Sequence, residues 1–445
     1  MFLLSCFCLF LTCCYGEKAL AQEAEQATLT MSDAVAIALA NKPSLQSYKY
    51  AIQASKAQGM QVWSAYLPQV NVTTNISQST GQQDPQTNIT LGAQQLIYSF
   101  AGPIQKYKLA EKQTKLVELA LDKDKKAIKY AVEQAFIECW KIQQQQKAIN
   151  SLYTATESNF KINENAYKLN LLDKNEWLKT TSERDITYGL VDRYFQGVEL
   201  TQKKLEFFMG QPIDLALKRI DQPLLPTHTK PKHITTLDLS WELPQEFTIK
   251  PLRRYYKYAM KYREEFKEAD QKIAIAKDET TIAQRSNLPS LSAVAATGYQ
   301  SIENKSAITS PNRSFYNLGL QLSWPIFNGL SYDYAAKAAH STMLKEVILK
   351  DNTLQTIKLD IETAYHTLSQ AVIVLKAKQS ERDYVKNNSK LKKLQLQTGD
   401  ITQSTLNRAI ADEEKVEYEW IELAADAATK ERALAYACGY PPTLS

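Results

Sequence analysis

Tyr316-Asn317-Leu318-Gly319-Leu320-Gln321-Leu322-Ser323-Trp324 alternates without a slip. Tyr316, Leu318, Leu320, Leu322 and Trp324 fall on one side of an extended chain, and Asn317, Gly319, Gln321 and Ser323 on the other. A two-residue period is the mark of a β-strand with one apolar and one polar face. An earlier stretch repeats the pattern: Val70, Val72 and Ile76 alternate with Asn71, Thr73, Asn75 and Ser77. A second strand is expected from about Asn88 to Tyr98, after a polar loop at 78–87, and a weaker, Ala-rich one over Leu291–Tyr299.

The two strand pairs belong to a duplication. Leu67-Pro68 recurs as Leu288-Pro289, an offset of 221 residues. Leu91-Gly92-x-Gln94 recurs as Leu318-Gly319-x-Gln321, and Phe100-x-Gly102 as Phe327-x-Gly329, both at 227. Glu133-x-Ala135-Phe136 recurs as Glu362-x-Ala364-Tyr365, and Gly210-x-Pro212 as Gly439-x-Pro441, both at 229. The order is constant and the offset only creeps upward, as expected of two copies of one unit. Its step from 221 to 227 puts six extra residues in the second hairpin loop, where insertions are tolerated.

Around the strands the chain is helical. Pro103 to Gly189 contains neither Gly nor Pro between its ends, and between Gly329 and Gly439 there is no Pro and Gly399 is the only Gly. Helix interiors exclude both residues, Gly by about 1 kcal/mol and Pro by about 3. About sixty helical residues would reach roughly 90 Å. Leu121, Ile128, Ala135, Ile142 and Ile149 recur every seven residues, with Val132, Cys139 and Tyr153 beside them, which predicts a coiled-coil seam. Asn170 and Gly399 are the expected reversal points, so each long helix should fold back as a hairpin. Ser32 is the expected cap of a first helix, and Asn41-Lys42-Pro43 interrupts it.

The expected organisation is a signal peptide at 1–21, a first repeat at 22–212, a Pro-rich, non-helical joining segment at 213–257, a second repeat at 258–441 and a tail at 442–445. The apolar run from Phe2 to Leu11, ending in Ala19-Leu20-Ala21, reads as a secretory signal. Leu11-Thr12-Cys13-Cys14 leaves a lipoprotein acylation site as the alternative. Cleavage after Ala21 leaves Cys139 and Cys438. Their repeat equivalents, Leu368 and Met209, are apolar, so the thiols are expected to act as small core residues, not as a disulfide.

A net charge of +5, with 53 basic and 48 acidic residues well mixed, gives no basic stripe for nucleic acid. The four His (His228, His233, His340, His366) have no metal-ligand spacing, and no phosphate loop, dinucleotide fingerprint or nucleophile elbow occurs. No catalytic residue, cofactor or metal is expected.

Strands of about 9–12 residues match the tilted membrane-spanning strand, which needs about 9–11. In lipid an open sheet edge is not tolerated. One chain offers four such strands, so a barrel must be shared between chains, and a conduit favours twelve strands from a trimer over a side-chain-filled eight. The lumen face would then carry Asn71, Thr73, Asn75, Asn317, Gln321 and Ser323, and the lipid face Leu320 and its neighbours. Aromatics near the strand ends (Trp63, Tyr66, Tyr98, Phe100, Tyr299, Phe315, Trp324, Phe327) fit interface girdles. The alternative is a small periplasmic sandwich.

Over essentially its whole mature length the chain resembles the TolC-type outer-membrane efflux proteins. The resemblance is carried by Leu29 to Val35 with Ala38, Leu39, Asn41 and Pro43, by Tyr66-Leu67-Pro68 and Asn287-Leu288-Pro289, by Trp324-Pro325-Ile326-Phe327-Asn328-Gly329, and by the Gly439 ending. It implies a mainly α fold: a long α-helical coiled-coil barrel hung below a twelve-stranded β-barrel, to which each of three chains gives four strands. It implies an outer-membrane position in a Gram-negative bacterium, with extension into the periplasm. It also implies a periplasmic adaptor protein and an inner-membrane transporter as partners. The family has a glycine at each hairpin tip and acidic residues six and nine positions after the second. Here Gly399 fits and Asn170 stands for the first glycine, with Asp173 and Asp400 nearby, but the two acidic positions hold Thr405 and Arg408. A neutral or basic constriction is therefore expected in place of an acidic one, with Asp400 or Asp173 able to pair with Arg408; the alternative is a bond from Arg408 to Asp412 one turn on. The function expected is a passive exit duct in a tripartite efflux or type I secretion system. The competing one is a coiled-coil tether of the cell envelope.

Overall fold

The computed structural model describes residues 29–77, 86–210, 212, 218–219, 235–236, 239–241, 247–302 and 313–441. The expected signal peptide, the tail 442–445, His228 and His233, and most of the joining segment lie outside the described residues. In chain order the elements are β1 (Leu29–Thr30), α1 (Met31–Asn41), α2 (Pro43–Trp63), a 3-10 turn (Ser64–Tyr66), β2 (Gln69–Ser77) and β3 (Gln86–Ser99). Then come α3 (Pro103–Lys168), α4 (Lys174–Met209), β4 (Lys218–Arg219), β5 (Thr235–Thr236), β6 (Leu239–Ser240), α5 (Leu252–Tyr262) and α6 (Glu264–Arg285). The chain closes with β7 (Ser290–Ile302), β8 (Arg313–Ser323), α7 (Ser331–Gln397) and α8 (Gln403–Ala437).

The fold forms two compact units, and each draws on both repeats. One comprises the chain up to Lys42, Ala127–Pro251 and Thr363–Tyr436. The other comprises Pro43–Lys126, Leu252–Glu362 and the chain from Ala437 onward.

In the first unit, Val132, Phe136 and Cys139 of α3 pack with Leu205 and Met209 of α4, Ile421, Ala425 and Ala428 of α8, and Ala34 and Ala38 of α1. Of the expected seam, Val132, Ala135, Cys139 and Ile149 are buried and Leu121, Ile128, Ile142 and Tyr153 are half-buried, and the buried face extends beyond it. Phe136, Ile137 and Trp140 are covered as well, because this part of α3 packs against several elements at once. The run Ala424, Ala425, Ala427 and Ala428 gives α8 a small-residue surface that lets neighbouring backbones approach. In the second unit, Gly59 of α2 faces Ala110 and Tyr107 of α3, and α6 is tied to α3 by Lys112 to Asp278 at 2.6 Å.

The duplication is visible atom by atom. Gly210 closes α4 with φ +78°, and a Cβ there would lie 3.1 Å from Lys42 Cα and 3.2 Å from Asn41 O. Gly439 follows α8 with φ +76°, and its Cβ would lie 2.6 Å from Tyr262 C and O and 2.8 Å from Arg263 N. Lys42 N–H donates to Ala38 O, and Arg263 N–H to Ala259 O. Lys42 Nζ then donates to Phe207 O, and Arg263 Nη1 to Ala437 O. Within each unit a basic residue at the end of an 11-residue helix thus meets the glycine that ends a repeat.

Two expectations need correction. The cap of α1 is Thr30, not Ser32: Thr30 Oγ1 accepts from Asp33 N at 3.2 Å, and Thr30 N–H reaches back to Asp33 Oδ2. This reciprocal box starts the helix two residues earlier. The joining segment is not free of helix to 257, since α5 starts at Leu252. Pro251 fits just before a first turn, and Tyr255 and Ala259, four apart, bury one face of the amphipathic helix that follows.

Candidate functional site

The four long strands make one antiparallel sheet in the order β2-β3-β7-β8. The central β3–β7 pair joins the two hairpins, and β2 and β8 are left as edges. Register assigns the faces. One row runs Thr73–Thr90–Gly298–Phe315, the next Asn71–Gly92–Ala296–Asn317, and the next Gln69–Gln94–Val294–Gly319. Ser292 with Gln321 and Ser290 with Ser323 continue this polar, small-residue face. The other face runs Val72–Leu91–Thr297–Tyr316 and Val70–Ala93–Ala295–Leu318, with Leu320 and Leu322 beyond. All six residues expected on a lumen face, Asn71, Thr73, Asn75, Asn317, Gln321 and Ser323, lie on the polar side.

The apolar side is bare. Tyr316 is 91% exposed, Leu318 82% and Ile76 72%. A sandwich would cover these with a second sheet, and the four strands form a single sheet instead. Among the described residues no helix is long and apolar enough to cross a membrane.

Two local devices refine the faces. A bulge between Leu96 and Tyr98 shifts the register by one, so Tyr98 pairs with Leu291 and joins the apolar side. Phe315 departs from the girdle expectation, because its register puts it on the polar side. Its ring lies against Gly298, where a Cβ would come within 2.8 Å of Cε1 and Cζ. A glycine opposite an aromatic lets the ring lie flat on the sheet.

The second set of candidate residues sits at the hairpin tips, within the first unit. Both tips turn the same way. Asn170 has φ +58° and Gly399 φ +82°. Leu171 N–H donates to Ala166 O at 2.8 Å, and Asp400 N–H to Gln395 O at 2.9 Å. Asn170 N–H donates to Tyr167 O, and Gly399 N–H to Leu396 O. These paired bonds are the left-handed helix termination that favours Gly and tolerates Asn. Asp173 then caps α4 by accepting from Asn175 N at 2.9 Å, and Thr402 takes the same place before α8, where its Oγ1 accepts from Thr405 N.

Past the turns, the hairpins are bonded side by side. Ser404 Oγ donates to Asn159 Oδ1 of α3 at 2.8 Å, and Asn407 Nδ2 to Ser158 Oγ. Arg408 of α8 pairs with Glu176 of α4, not with Asp412. Asp173 and Asp400 do not meet Arg408: the first is a cap, and the second accepts from Thr398 Oγ1. Sequence reading missed Glu176, although it stands six residues after Asn170, in the first hairpin's counterpart of Thr405. Further along the second hairpin, Arg382 of α7 forks onto Glu417 of α8 at 2.5 and 2.6 Å and covers the Trp420 ring. Burial would raise the Glu417 carboxyl, but the Arg382 bonds hold it below the usual range.

Cys139 and Cys438 are free and buried, as expected of core residues. Burial pushes their thiols up to about 11 and about 12. His340 and His366 lie on exposed positions of α7, and among the described residues no cluster of metal-ligating side chains forms.

These features define a class: a duplicated helical-hairpin protein with a two-faced, open-edged sheet. The family model for outer membrane efflux proteins matches residues 256–440, from α5 to just past α8. No curated protein sequence matches the chain. Among solved structures, the CmeC outer membrane channel of Campylobacter jejuni superposes with TM-score 0.73 at 14% identity, over 92% of this chain and 85% of that one. A membrane protein from Pseudomonas aeruginosa gives 0.70 at 16%, over 92% of each chain. The outer membrane protein VceC of Vibrio cholerae gives 0.68 at 15%, over 92% and 97%. The chain therefore has the fold of these outer membrane channels over 92% of its length, and it resembles the outer membrane efflux proteins in sequence over residues 256–440.

Proposed function

We propose that this chain is the outer-membrane efflux channel of a tripartite or type I secretion system. It is not an enzyme, since the family matched by its second repeat is one of efflux channels. The observation that carries the reading is the sheet. Its apolar face is uncovered, its other face carries mainly Asn, Gln, Ser, Thr and Gly, and its edges β2 and β8 are open. In lipid those edges must be paired. Three copies joined β8 to β2 close a twelve-stranded barrel whose lumen carries Asn71, Thr73, Asn75, Asn317, Gln321 and Ser323. The chain acts in the outer membrane and reaches into the periplasm with its helices. There the hairpin tips around Asn170 and Gly399 meet a periplasmic adaptor fed by an inner-membrane transporter. A coiled-coil tether has no use for a polar sheet face.

The test is the purified protein in mild detergent and then in planar bilayers. The expected result is a trimer by light scattering, heat-modifiable migration, and ion conductance. A stable monomer without conductance overturns the barrel.

A further inference from the structure

Arg313 is the sole charged residue in β2, β3, β7 and β8 together. It opens β8 at the end of the sheet where β2 stops and β3 starts, opposite the end from which α3 and α7 leave. Its register partner is Gln300, two positions before the Gly298–Phe315 row, so Arg313 shares the polar face with Asn75, Asn88 and Asn317. The side chain is exposed, and among the described residues no acidic group pairs with it. The next residue down that face, Phe315, lies flat over Gly298 and does not screen it.

We propose that Arg313 forms a basic ring at the loop-end mouth of the channel and selects for anions there, with multivalent phosphate-type anions bound best. The inference rests on the trimeric barrel. A threefold axis puts three copies of Arg313 at one height in a lumen whose strands hold no other charge. Rings of Arg or Lys are how pores favour anions and phosphates, and the guanidinium fork matches phosphate oxygens two at a time. The uncharged Asn, Gln and Thr rows below it leave no counter-charge on the strands. Elsewhere, Arg408 is matched by Glu176, whereas no ion pair holds Arg313 among the described residues.

The experiment is single-channel recording of the purified full-length protein, with inorganic tripolyphosphate added to each side in turn. The parent should favour chloride over potassium and be blocked by tripolyphosphate from one side. Arg313→Gln should still migrate as a trimer and form channels, with the chloride preference lowered by roughly threefold and the one-sided block weakened about tenfold or more, as a lost charge ring implies. Arg313→Lys should retain the chloride preference and bind tripolyphosphate less tightly than the parent. If Arg313→Gln conducts with unchanged selectivity and block, the ring is not there. If the parent is a stable monomer that never conducts, the barrel itself is refuted, which separates the two failures.

Discussion

Arg408 of α8 and Glu176 of α4 form an ion pair that ties the second hairpin to the first just past their reversal points. Glu176 lies in the first turn of α4, where the unsatisfied N–H groups favour a negative charge. Arg408 is the residue nine positions after Gly399, and Glu176 is six after Asn170. The chain thus holds a neutral pair where a bare cation would otherwise stand.

Both partners are partly exposed, at 55% and 34% of their side chains, so the pair adds about 1 kcal/mol or less to stability. Its effect should appear in conduction. Arg408→Ala leaves three unpaired copies of Glu176 in a trimer and should shift the channel toward cations and introduce block by divalent cations. Glu176→Ala should shift it the opposite way. Selectivity measured in asymmetric KCl checks both, and unchanged selectivity in both variants would remove the tip from the conduction path.

The two faces of β8 predict an asymmetric response to one substitution. Leu320 sits on the bare apolar side and Gln321 on the polar side. Arg on a lipid face costs about 2–4 kcal/mol at mid-membrane, whereas lumen changes tune selectivity. Leu320→Arg should therefore reduce the trimer recovered from membranes, and Gln321→Arg should assemble normally with altered conductance. Equal recovery of the two variants would show that neither face meets lipid.

What the sequence made legible was whatever depends on near neighbours. Strict alternation from Tyr316 to Trp324 identifies a strand and its faces, because side chains along a strand alternate wherever it is placed. Asn170 and Gly399 were readable as turns, since each breaks a run that otherwise suits a helix. The Arg408–Glu176 pair was not readable, because it joins residues 232 apart and depends on how two hairpins lie side by side. The position of Phe315 on the polar face over Gly298 needed the β7–β8 register. The bulge that sends Tyr98 to the apolar side needed the β3–β7 register. Thr30 and Ser32 are both good cap residues, so the sequence alone does not separate them. The reciprocal bond to Asp33 decides between them.

Gly399 and Gly439 share a left-handed backbone but not an environment, and that separates two costs. A Cβ at Gly399 meets nothing within 4 Å, so Gly399→Ala bears only the strain of φ +82°, about 1–2 kcal/mol. A Cβ at Gly439 meets Tyr262 C and O at 2.6 Å, and backbone cannot step aside as a flexible side chain can. Gly439→Ala should cost about 3 kcal/mol or more, since the clash adds to the strain. Thermal unfolding of the purified variants measures the difference. Equal midpoints would mean that the contact between Gly439 and the end of α5 relaxes freely.

Glu414 of α8 gives the helical hairpin a pH dependence. Burial first, then the neighbouring Glu413 and Glu417 carboxylates, push it up to about 7, against the opposing pull of Lys386 and Lys393. Glu417 is itself held ionised by Arg382, so it keeps repelling Glu414 when the pH falls. A carboxyl whose folded pKa exceeds its unfolded one stabilises the fold most below the unfolded value. That contribution fades as the pH rises through the folded value. The hairpin should therefore be more stable at pH 5 than at pH 8, with the change centred between the ordinary Glu value and about 7. Glu414→Gln removes the charged form and should raise stability at pH 8 by on the order of 1 kcal/mol, after allowing for solvent screening of a half-exposed group. At pH 5 it should change little. Thermal midpoints of parent and variant at the two pH values test this. A variant that gains nothing at pH 8, or gains as much at pH 5, would show that Glu414 titrates as an ordinary surface carboxylate.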